Sequence, residues 1–162
     1  MDDPAGWRDR LGLEPHPEGG WYAETYTADV TVDATALPDR YGEERATLTS
    51  IYYLLEVGEY SAFHRLASDE LWHFYRGDPL TLYLLDDGLE TVTLGVERFQ
   101  AVVPHGTWFA AEVTPRGECS AGYSLVGCDV SPGFDFADFE LATPALAEEY
   151  PAHRELVSRL IR

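Results

Sequence analysis

The residues best suited to chemistry lie in one stretch, Gly58 to Gly77, which reads GEYSAFHRLASDELWHFYRG. His64 carries an imidazole, which titrates near neutral pH and can take a proton from a reacting carbon. A carboxylate beside an imidazole fixes its tautomer, and Glu70 is the nearest candidate for that task. The two residue types together therefore indicate a general base and the group that orients it.

The pattern of alternation predicts where these side chains point. The stretch fits a strand, a tight turn at 67–69 and a second strand. Residues two apart on a strand share a face, so Glu70, Trp72 and Phe74 lie on one face of the second strand. If the two strands fold onto each other as a hairpin, His64 and Glu70 point into the same interior.

The elements around this stretch predict an all-β framework. Turn signals such as Gly19-Gly20 and Pro104-His105-Gly106 recur about every eight to twelve residues, which is typical of a sandwich or barrel. The other β-rich runs are Thr47–Leu55, Leu80–Leu85, Glu90–Val96, Phe99–Val103, Trp108–Val113 and Tyr123–Val130.

Helical signals are confined to the ends of the chain. Pro4 to Leu13 predicts a short helix, and Thr143-Pro144 provides an N-cap and a proline for a second helical segment that extends to about residue 161. The polar segment from Asp29 to Glu44 is predicted to be an exposed, mobile loop.

Charge excludes several classes of partner. The chain has 162 residues, with 11 Lys+Arg against 29 Asp+Glu, so its formal net charge is −18. Such a chain lacks the basic footprint that nucleic acid or anionic lipid requires. No apolar run approaches the ~18–20 residues of a membrane span, and the acidic N-terminus differs from a signal peptide. We therefore expect one cytoplasmic domain without a nucleic-acid or membrane partner.

The same charge bears on the salt concentration at which the protein is stable. All the basic residues are arginine, and a fold this acidic repels itself unless salt screens it. A high-salt cytoplasm, as in halophiles, would explain this composition; a GC-rich mesophilic genome is the alternative. The two cysteines, Cys119 and Cys128, are too few for a disulfide framework and are expected to be reduced thiols.

The stretch from Gly58 to Gly77 resembles the first motif of the cupin superfamily, which is Gly, five residues, His-x-His, three or four residues, Glu, six residues, Gly. The matching positions are Gly58, His64, Glu70 and Gly77. The second cupin motif is matched at Pro104 and Gly106, but Phe109 stands where its histidine is expected.

The chain resembles more closely a subfamily of small, single-domain cupins without an established activity. The segments that carry this resemblance are HPEGGWYAETY (16–26), FHRLASDELWHFYRGDPL (63–80), VVPHGTWFAA (102–111), YSLVGCDVSPGFDFADFEL (123–141) and Tyr150-Pro151. The resemblance implies a double-stranded β-helix (cupin jelly roll) with short terminal α-helices. It implies a domain over 1–162 with its core at about 18–141, a C-terminal helical segment at about 143–161, and a homodimer.

The resemblance also bears on metal binding. Typical metal cupins use three histidines and one glutamate, of which this chain keeps His64 and Glu70. The other two positions are Leu66 and Phe109, and two ligands are fewer than a catalytic site needs. His73 could replace one of them only if a bulge turned it inward. No tightly bound cofactor is therefore expected, and a divalent metal held by His64, Glu70 and His73 is the alternative.

A second interpretation is metal-free acid/base catalysis. Jelly-roll relatives that epimerise or isomerise nucleotide-linked deoxysugars pair a histidine base with a carboxylate and a tyrosine acid. His64 would be the base, Glu70 its orienter and Tyr53 the acid. Proton removal next to a carbonyl also needs a group that stabilises the enolate, and the sequence does not identify that group.

A third interpretation is a binding protein without turnover. Aromatic residues can form the wall of a pocket for a flat or sugar-like ring, and an acidic residue can accept hydrogen bonds from hydroxyls. The candidates are Trp72, Phe74, Trp108, Phe109 and Glu140. The sequence thus predicts a small-molecule-binding cupin, with metal-independent epimerase or isomerase chemistry on a sugar-like or other small polar metabolite. A divalent-metal dioxygenase or isomerase and a non-enzymatic binder remain as alternatives.

Overall fold

Strands dominate the part of the chain that the computed structural model describes, residues 3–162. Met1 and Asp2, the first residues of the predicted 1–162 domain, lie outside the described residues. The strands are β1 (Glu14–Pro15), β2 (Trp21–Thr27), β3 (Thr31–Val32), β4 (Arg45–Ala46), β5 (Thr49–Glu56), β6 (Tyr60–Leu66), β7 (Asp69–Gly77), β8 (Leu80–Leu85), β9 (Leu89–Leu94), β10 (Gln100–Val103), β11 (Trp108–Val113), β12 (Tyr123–Ser131) and β13 (Phe139–Leu141).

The helices are short and lie towards the two ends. They are α1 (Pro4–Leu11), α2 (Ala145–Glu149) and α3 (Arg154–Arg159), with 3-10 turns at Ala34–Ala36, Gly117–Cys119, Phe136–Asp138 and Pro151–His153. Helix α1 begins after Asp3, whose side chain accepts a hydrogen bond from the Gly6 backbone, and it ends at Gly12 in the left-handed region. No helix among residues 3–162 is long and apolar enough to span a membrane.

Two antiparallel sheets form the body of the fold. One has six strands in the order β1-β2-β5-β12-β7-β10, and the other has five in the order β13-β6-β11-β8-β9. Apolar side chains from both sheets meet between them, including Trp72, Leu82 and Phe109. This arrangement confirms the predicted all-β cupin jelly roll with short terminal helices.

The predicted hairpin between β6 and β7 is wrong. Strand β6 pairs with β11 and β13, whereas β7 pairs with β10 and β12, so the two strands belong to opposite sheets. The turn after Leu66 carries the chain across the barrel instead of back along the same sheet. The inner faces of β6 and β7 therefore face each other across the interior.

The helices cover the outer faces of the sheets. Phe63 and Trp108 project outward from the five-stranded sheet and pack on α2 and α3, where Leu146 and Val157 are buried. On the other side Trp7 of α1 donates a hydrogen bond of 2.7 Å to the hydroxyl of Tyr123. Both sheets thus bury side chains on parts of their outer faces as well as inside.

The segment 29–44 is more structured than the sequence suggests. It contains strand β3 and the 3-10 turn Ala34–Ala36, and Tyr41 within it is only 4% exposed. The Tyr41 hydroxyl bonds to the backbone oxygen of Ala67 at 2.9 Å. The prediction of an exposed loop is therefore wrong for Tyr41, whereas the other residues of 37–44 are exposed or half-buried and lie outside helices and strands.

One outer face remains uncovered. Leu71, Tyr75, Phe99 and Val102 are between 37% and 59% exposed, and they lie on or next to β7 and the edge strand β10. Val102 is the register partner of Leu71. We refer to these four residues as the outer strip.

Candidate functional site

A cavity lies between the two sheets and contains most of the ionisable side chains of the interior. Two imidazoles and two carboxyls line it, those of His16, Glu18, His64 and Glu70. The space between the lining side chains measures ≈ 470 Å³ including the part open to solvent, but only ≈ 40 Å³ of it can take the centre of a water molecule. Such a site accommodates a few ordered waters or a slim ligand.

The rest of the lining is chiefly aromatic. The aromatic lining residues are Tyr22, Tyr53, Trp72, Phe134 and Phe139. No arginine belongs to the lining within residues 3–162. The lining therefore combines apolar walls with acidic and neutral polar groups, and a permanent positive charge acts on Glu18 only from outside the lining, where Arg162 lies beside Gly19.

Glu18 enters the cavity because two glycines follow it. Gly19 and Gly20 have φ values of 114° and 69°, which residues with a side chain rarely adopt. A Cβ on Gly20 would lie 2.7 Å from the hydroxyl of Tyr53 and 2.8 Å from the backbone oxygen of Leu54. The backbone therefore passes close to β5, and Tyr53 donates a hydrogen bond of 2.7 Å to the oxygen of Gly19.

His64 and Glu18 share a proton. His64 Nδ1 lies 2.7 Å from the backbone oxygen of Ala62, which can only accept, so Nδ1 carries a hydrogen. His64 Nε2 lies 3.0 Å from Oε2 of Glu18. A neutral imidazole with its hydrogen on Nδ1 has a lone pair on Nε2. A proton must therefore lie between Nε2 and Oε2, either on the carboxyl or on the ring.

The surroundings of Glu18 favour the carboxylic acid. The Glu18 backbone N–H donates to His16 Nδ1 at 3.3 Å, so this nitrogen already accepts a hydrogen bond, and it lies 3.5 Å from Glu18 Oε2. A hydrogen on Oε2 is therefore available to the nearer nitrogen, Nε2 of His64. Ser61 Oγ donates to the other oxygen, Oε1, at 2.8 Å.

Burial favours the neutral form of both members of this pair. It raises the pKa of Glu18 above its ordinary value and lowers the pKa of His64 to about 4, because the charged form of each group loses its hydration. It lowers the pKa of His16 as well. Burial therefore favours the uncharged form of all three groups, while His16, the Ser61 and Tyr53 hydroxyls and Arg162 act on the pKa of Glu18 in the opposite direction.

Glu70 and Trp72 form a second polar pair on the opposite wall. Both lie on the inner face of β7, and they are 7% and 1% exposed. Oε2 of Glu70 and Nε1 of Trp72 have no hydrogen-bond partner among the residues described. Burial, and secondarily the Glu18 carboxyl, raises the pKa of Glu70 to about 8 against the lowering effect of Trp72 and Cys128, so the acid form of Glu70 predominates at neutral pH.

Several predicted site residues lie inside the barrel. His64, Glu70, Tyr53 and Trp72 line the cavity, and Phe109 lies next to it with its ring centroid 4.1 Å from that of His64. Phe74 is buried in the same core. Burial raises the pKa of Tyr53 well above its ordinary value, so its hydroxyl keeps its proton at neutral pH.

Other predicted site residues lie elsewhere. Trp108 faces outward onto the C-terminal helices, because its neighbour Phe109 faces inward and successive side chains alternate. Glu140 is exposed and forms an ion pair of 2.7 Å with Arg65. His73 lies on the outer face of β7, where Nε2 is 2.9 Å from Asp129. These three positions do not support the predicted roles of Trp108 and Glu140 in ligand binding or of His73 in metal binding.

The expected contact between His64 and Glu70 is made by Glu18 instead. Glu18, His16, Phe134 and Phe139 are among the cavity residues that the sequence analysis did not place. The signal that could have identified Glu18 is its position before two consecutive glycines, which indicates a close backbone approach.

The donor set does not fit the metal that many cupins hold. Of the four ligand positions, Leu66 and Phe109 supply carbon, and His64 already uses both ring nitrogens in the contacts to Ala62 and Glu18. Within residues 3–162 no three His, Cys, Asp or Glu side chains are arranged to hold a metal ion. We therefore derive no chemical step through a metal.

Comparisons with known proteins agree with this architecture. Residues 6–142 match the family described as Cupin superfamily (DUF985). A hypothetical protein from Leishmania major has 37% identity and a TM-score of 0.87, with 98% of each chain covered. A protein from Shewanella oneidensis has 39% identity and a TM-score of 0.86, covering 100% of this chain and 99% of that one.

More distant structures share the fold alone. An oxalate decarboxylase from Bacillus subtilis has 17% identity and a TM-score of 0.55, and the match covers 91% of this chain but 37% of that enzyme. No curated protein matches the chain.

Proposed function

The chain belongs to the DUF985 family of the cupin superfamily, and from that premise we propose that it binds a small polar metabolite in its barrel and isomerises or epimerises it by metal-independent proton transfer. The observation that carries this proposal is the 3.0 Å contact between Glu18 Oε2 and His64 Nε2. The contact holds a mobile proton in a buried, ligand-sized cavity, as general acid–base catalysis requires.

Glu18 and His64 have different roles in the proton transfer. When the shared proton moves to His64, Glu18 becomes a carboxylate at the cavity wall. That carboxylate takes a proton from the carbon next to a carbonyl: the C–H bond breaks, an O–H bond forms, and the electron pair goes to the carbonyl oxygen. In epimerisation the new carboxylic acid returns a proton to the same carbon on the other face of the planar enolate, and the electron pair on oxygen re-forms the carbonyl. In isomerisation the proton goes to the former carbonyl carbon, while the enolate oxygen gains a proton and the hydroxyl of the neighbouring carbon loses one, so that the carbonyl moves by one carbon. The proton held on His64 then returns to Glu18, which restores the enzyme.

The hydrogen bond from His64 Nδ1 to Ala62 prepares His64 for this task. It holds the ring in one orientation and stabilises the imidazolium that forms when Glu18 gives up its proton. His64 is thus the proton store, and Glu18 is the group that reaches the ligand. This assignment replaces the earlier pairing of His64 with Glu70.

Solvent exchange tests the proposal. The protein, treated with a chelator, is incubated in D₂O with dihydroxyacetone or glyceraldehyde, and deuterium on carbon is followed by NMR. We expect exchange above the uncatalysed rate and a loss of about 100-fold or more in Glu18→Gln and His64→Gln. His73→Gln, which changes a histidine on the outer face, serves as the matched control and should exchange like the parent.

Three results would contradict the proposal. Exchange that survives in both Glu18→Gln and His64→Gln would exclude this pair as the proton-transfer group. Exchange that disappears with the chelator and returns with Fe, Mn, Ni, Co or Zn would favour a divalent-metal cupin. Stabilisation by the ligand without exchange or product would favour a binding protein without turnover.

A further inference from the structure

We propose that Glu70 and Trp72 form a two-donor site for the oxygen of an uncharged carbonyl ligand, and that they stabilise the enolate oxygen when the carbon beside the carbonyl loses its proton. This inference rests on the proposed function and specifies its ligand. It also supplies the stabilising group that the sequence alone does not identify.

The position of the two groups carries the argument. Glu70 and Trp72 are two residues apart on β7, so both side chains leave the strand on its inner face. Both line the same cavity as Glu18 and His64, and they approach it from the sheet opposite to the one that carries His64. Glu18 lies between β1 and β2, and its backbone oxygen accepts a hydrogen bond from Ala62 of β6, so a ligand between the sheets meets His64 and Glu18 on one side and Glu70 and Trp72 on the other.

Their unused polar atoms indicate what the ligand offers. Nε1 of Trp72 is a donor only, and no acceptor meets it in good hydrogen-bond geometry among the residues described, although the indole is close enough to the Glu70 carboxyl to lower the pKa of that group. Oε2 of Glu70 is equally unpartnered, and in the acid form this carboxyl has one hydrogen to donate. A buried polar atom without a partner costs about 1–3 kcal/mol, so a ligand that satisfies both atoms gains that free energy on binding.

A carbonyl oxygen fits both donors at once. It has two lone pairs and no hydrogen, whereas an ammonium group offers only donors and would leave the Trp72 N–H unsatisfied. A carboxylate ligand would face two buried carboxyls in a lining without arginine. The cavity therefore selects a neutral carbonyl compound over an anion or a cation of the same size.

The walls supply the conditions that such donors need. Phe109 packs between the two halves of the site, with ring centroids 4.1 Å from His64 and 6.1 Å from Trp72, and Tyr53 packs against Trp72 at 5.7 Å. Fixed donors in a low-dielectric site act more strongly on a developing negative charge than water does. The burial that raises the pKa of Glu70 keeps this carboxyl in its donor form.

Three probes of similar size and different charge test the ligand class. Hydroxyacetone is neutral, glycolate is an anion, and ethanolamine is a cation. Binding is followed through the Trp72 indole N–H resonance of ¹⁵N-labelled protein, which Trp72→Phe identifies by its disappearance. We expect hydroxyacetone to shift this resonance and to saturate at a concentration at which glycolate and ethanolamine leave it unchanged.

Variants test the two donors in the exchange reaction. Glu70→Gln keeps an uncharged donor of the same shape and should retain exchange within about 10-fold, whereas Glu70→Ala and Trp72→Phe should each lose about 100-fold or more. Glu70→Gln also guards against a variant that merely fails to fold, since it preserves the side-chain volume.

The outcomes separate this inference from the function on which it rests. If hydroxyacetone binds at Trp72 but no exchange occurs, the donor site stands for binding and the proposed function fails. If the parent protein exchanges and Glu70→Ala and Trp72→Phe exchange equally fast, the donor site is wrong and the proposed function stands. Tighter binding of ethanolamine or glycolate than of hydroxyacetone would also overturn the donor site.

Discussion

Replacing Glu70 by glutamine should stabilise the protein, and the gain should grow with pH. Glu70 is buried, and its pKa lies at about 8 in the folded chain against an ordinary value of 4.5. Between these two values the folded state binds more protons than the unfolded state, so the stability of the parent protein falls as pH rises. Glutamine does not titrate, so the variant escapes this loss.

The size of the effect follows from the two pKa values. Each unit of difference corresponds to ~1.36 kcal/mol, and the loss from Glu70 reaches roughly 1 kcal/mol at pH 5 and roughly 3 kcal/mol at pH 7. Above pH 8 it levels off on the order of 5 kcal/mol. The stability difference between Glu70→Gln and the parent should therefore increase by about 2–3 kcal/mol from pH 5 to pH 7.

Chemical denaturation at several pH values measures this difference directly. Urea unfolding of both proteins, followed by tryptophan fluorescence, gives the free energy of unfolding at each pH. Other titrating groups act in both proteins, so the difference isolates Glu70. Glu24→Gln, an exposed change on β2, serves as control and should give a difference that does not vary with pH.

The sign of the slope is the critical result. A flat difference would show that Glu70 titrates normally in the folded chain and would refute the reasoning. A slope of opposite sign, with the parent gaining over the variant as pH rises, would mean that a positive group such as a bound metal ion holds Glu70 as a carboxylate.

Four further predictions concern the framework. Gly20→Ala should lower stability by about 1–3 kcal/mol and displace the Glu18 segment, whereas Gly42→Ala, which has open space around it, should be nearly neutral in thermal unfolding. Arg45→Met leaves Asp138 buried and unpaired and should cost about 3–5 kcal/mol in urea unfolding, against about 0–1 kcal/mol for the exposed Arg154→Met. The thermal midpoint should rise as KCl is added to molar concentrations, because salt screens the net charge of −18; a constant midpoint would remove the argument for a high-salt cytoplasm. Sedimentation should give twice the mass of the chain if the expected homodimer forms, and a monomer at micromolar concentration would contradict it.

Much of the framework follows from local patterns. The alternation in β7 places Glu70, Trp72 and Phe74 on one inner face, and the turn signals separate six further runs whose ends lie within two residues of the observed strands. Such patterns depend on neighbouring residues only, so they can be interpreted without knowledge of the tertiary structure.

The site depends on contacts between distant segments, which no local pattern contains. Glu18 meets His64 because the glycines after it let the backbone pass beside β5 and β6; the Ala62 N–H donates to the Glu18 backbone oxygen at 2.8 Å. Trp108 and Phe109 could not both face inward on one regular strand, so choosing between them required knowing which face of β11 the helices cover.

The outer strip bears on how the protein behaves in solution. Its four apolar side chains adjoin an edge strand that offers unpaired backbone groups, an arrangement that invites self-association. Mutual repulsion between copies with a charge of −18 opposes that tendency near neutrality. As acid brings the medium towards the isoelectric point of ≈ 4.4, this repulsion vanishes while the strip persists. Turbidity should therefore develop in mildly acidic buffers, and purification or crystallisation is best kept well above that pH.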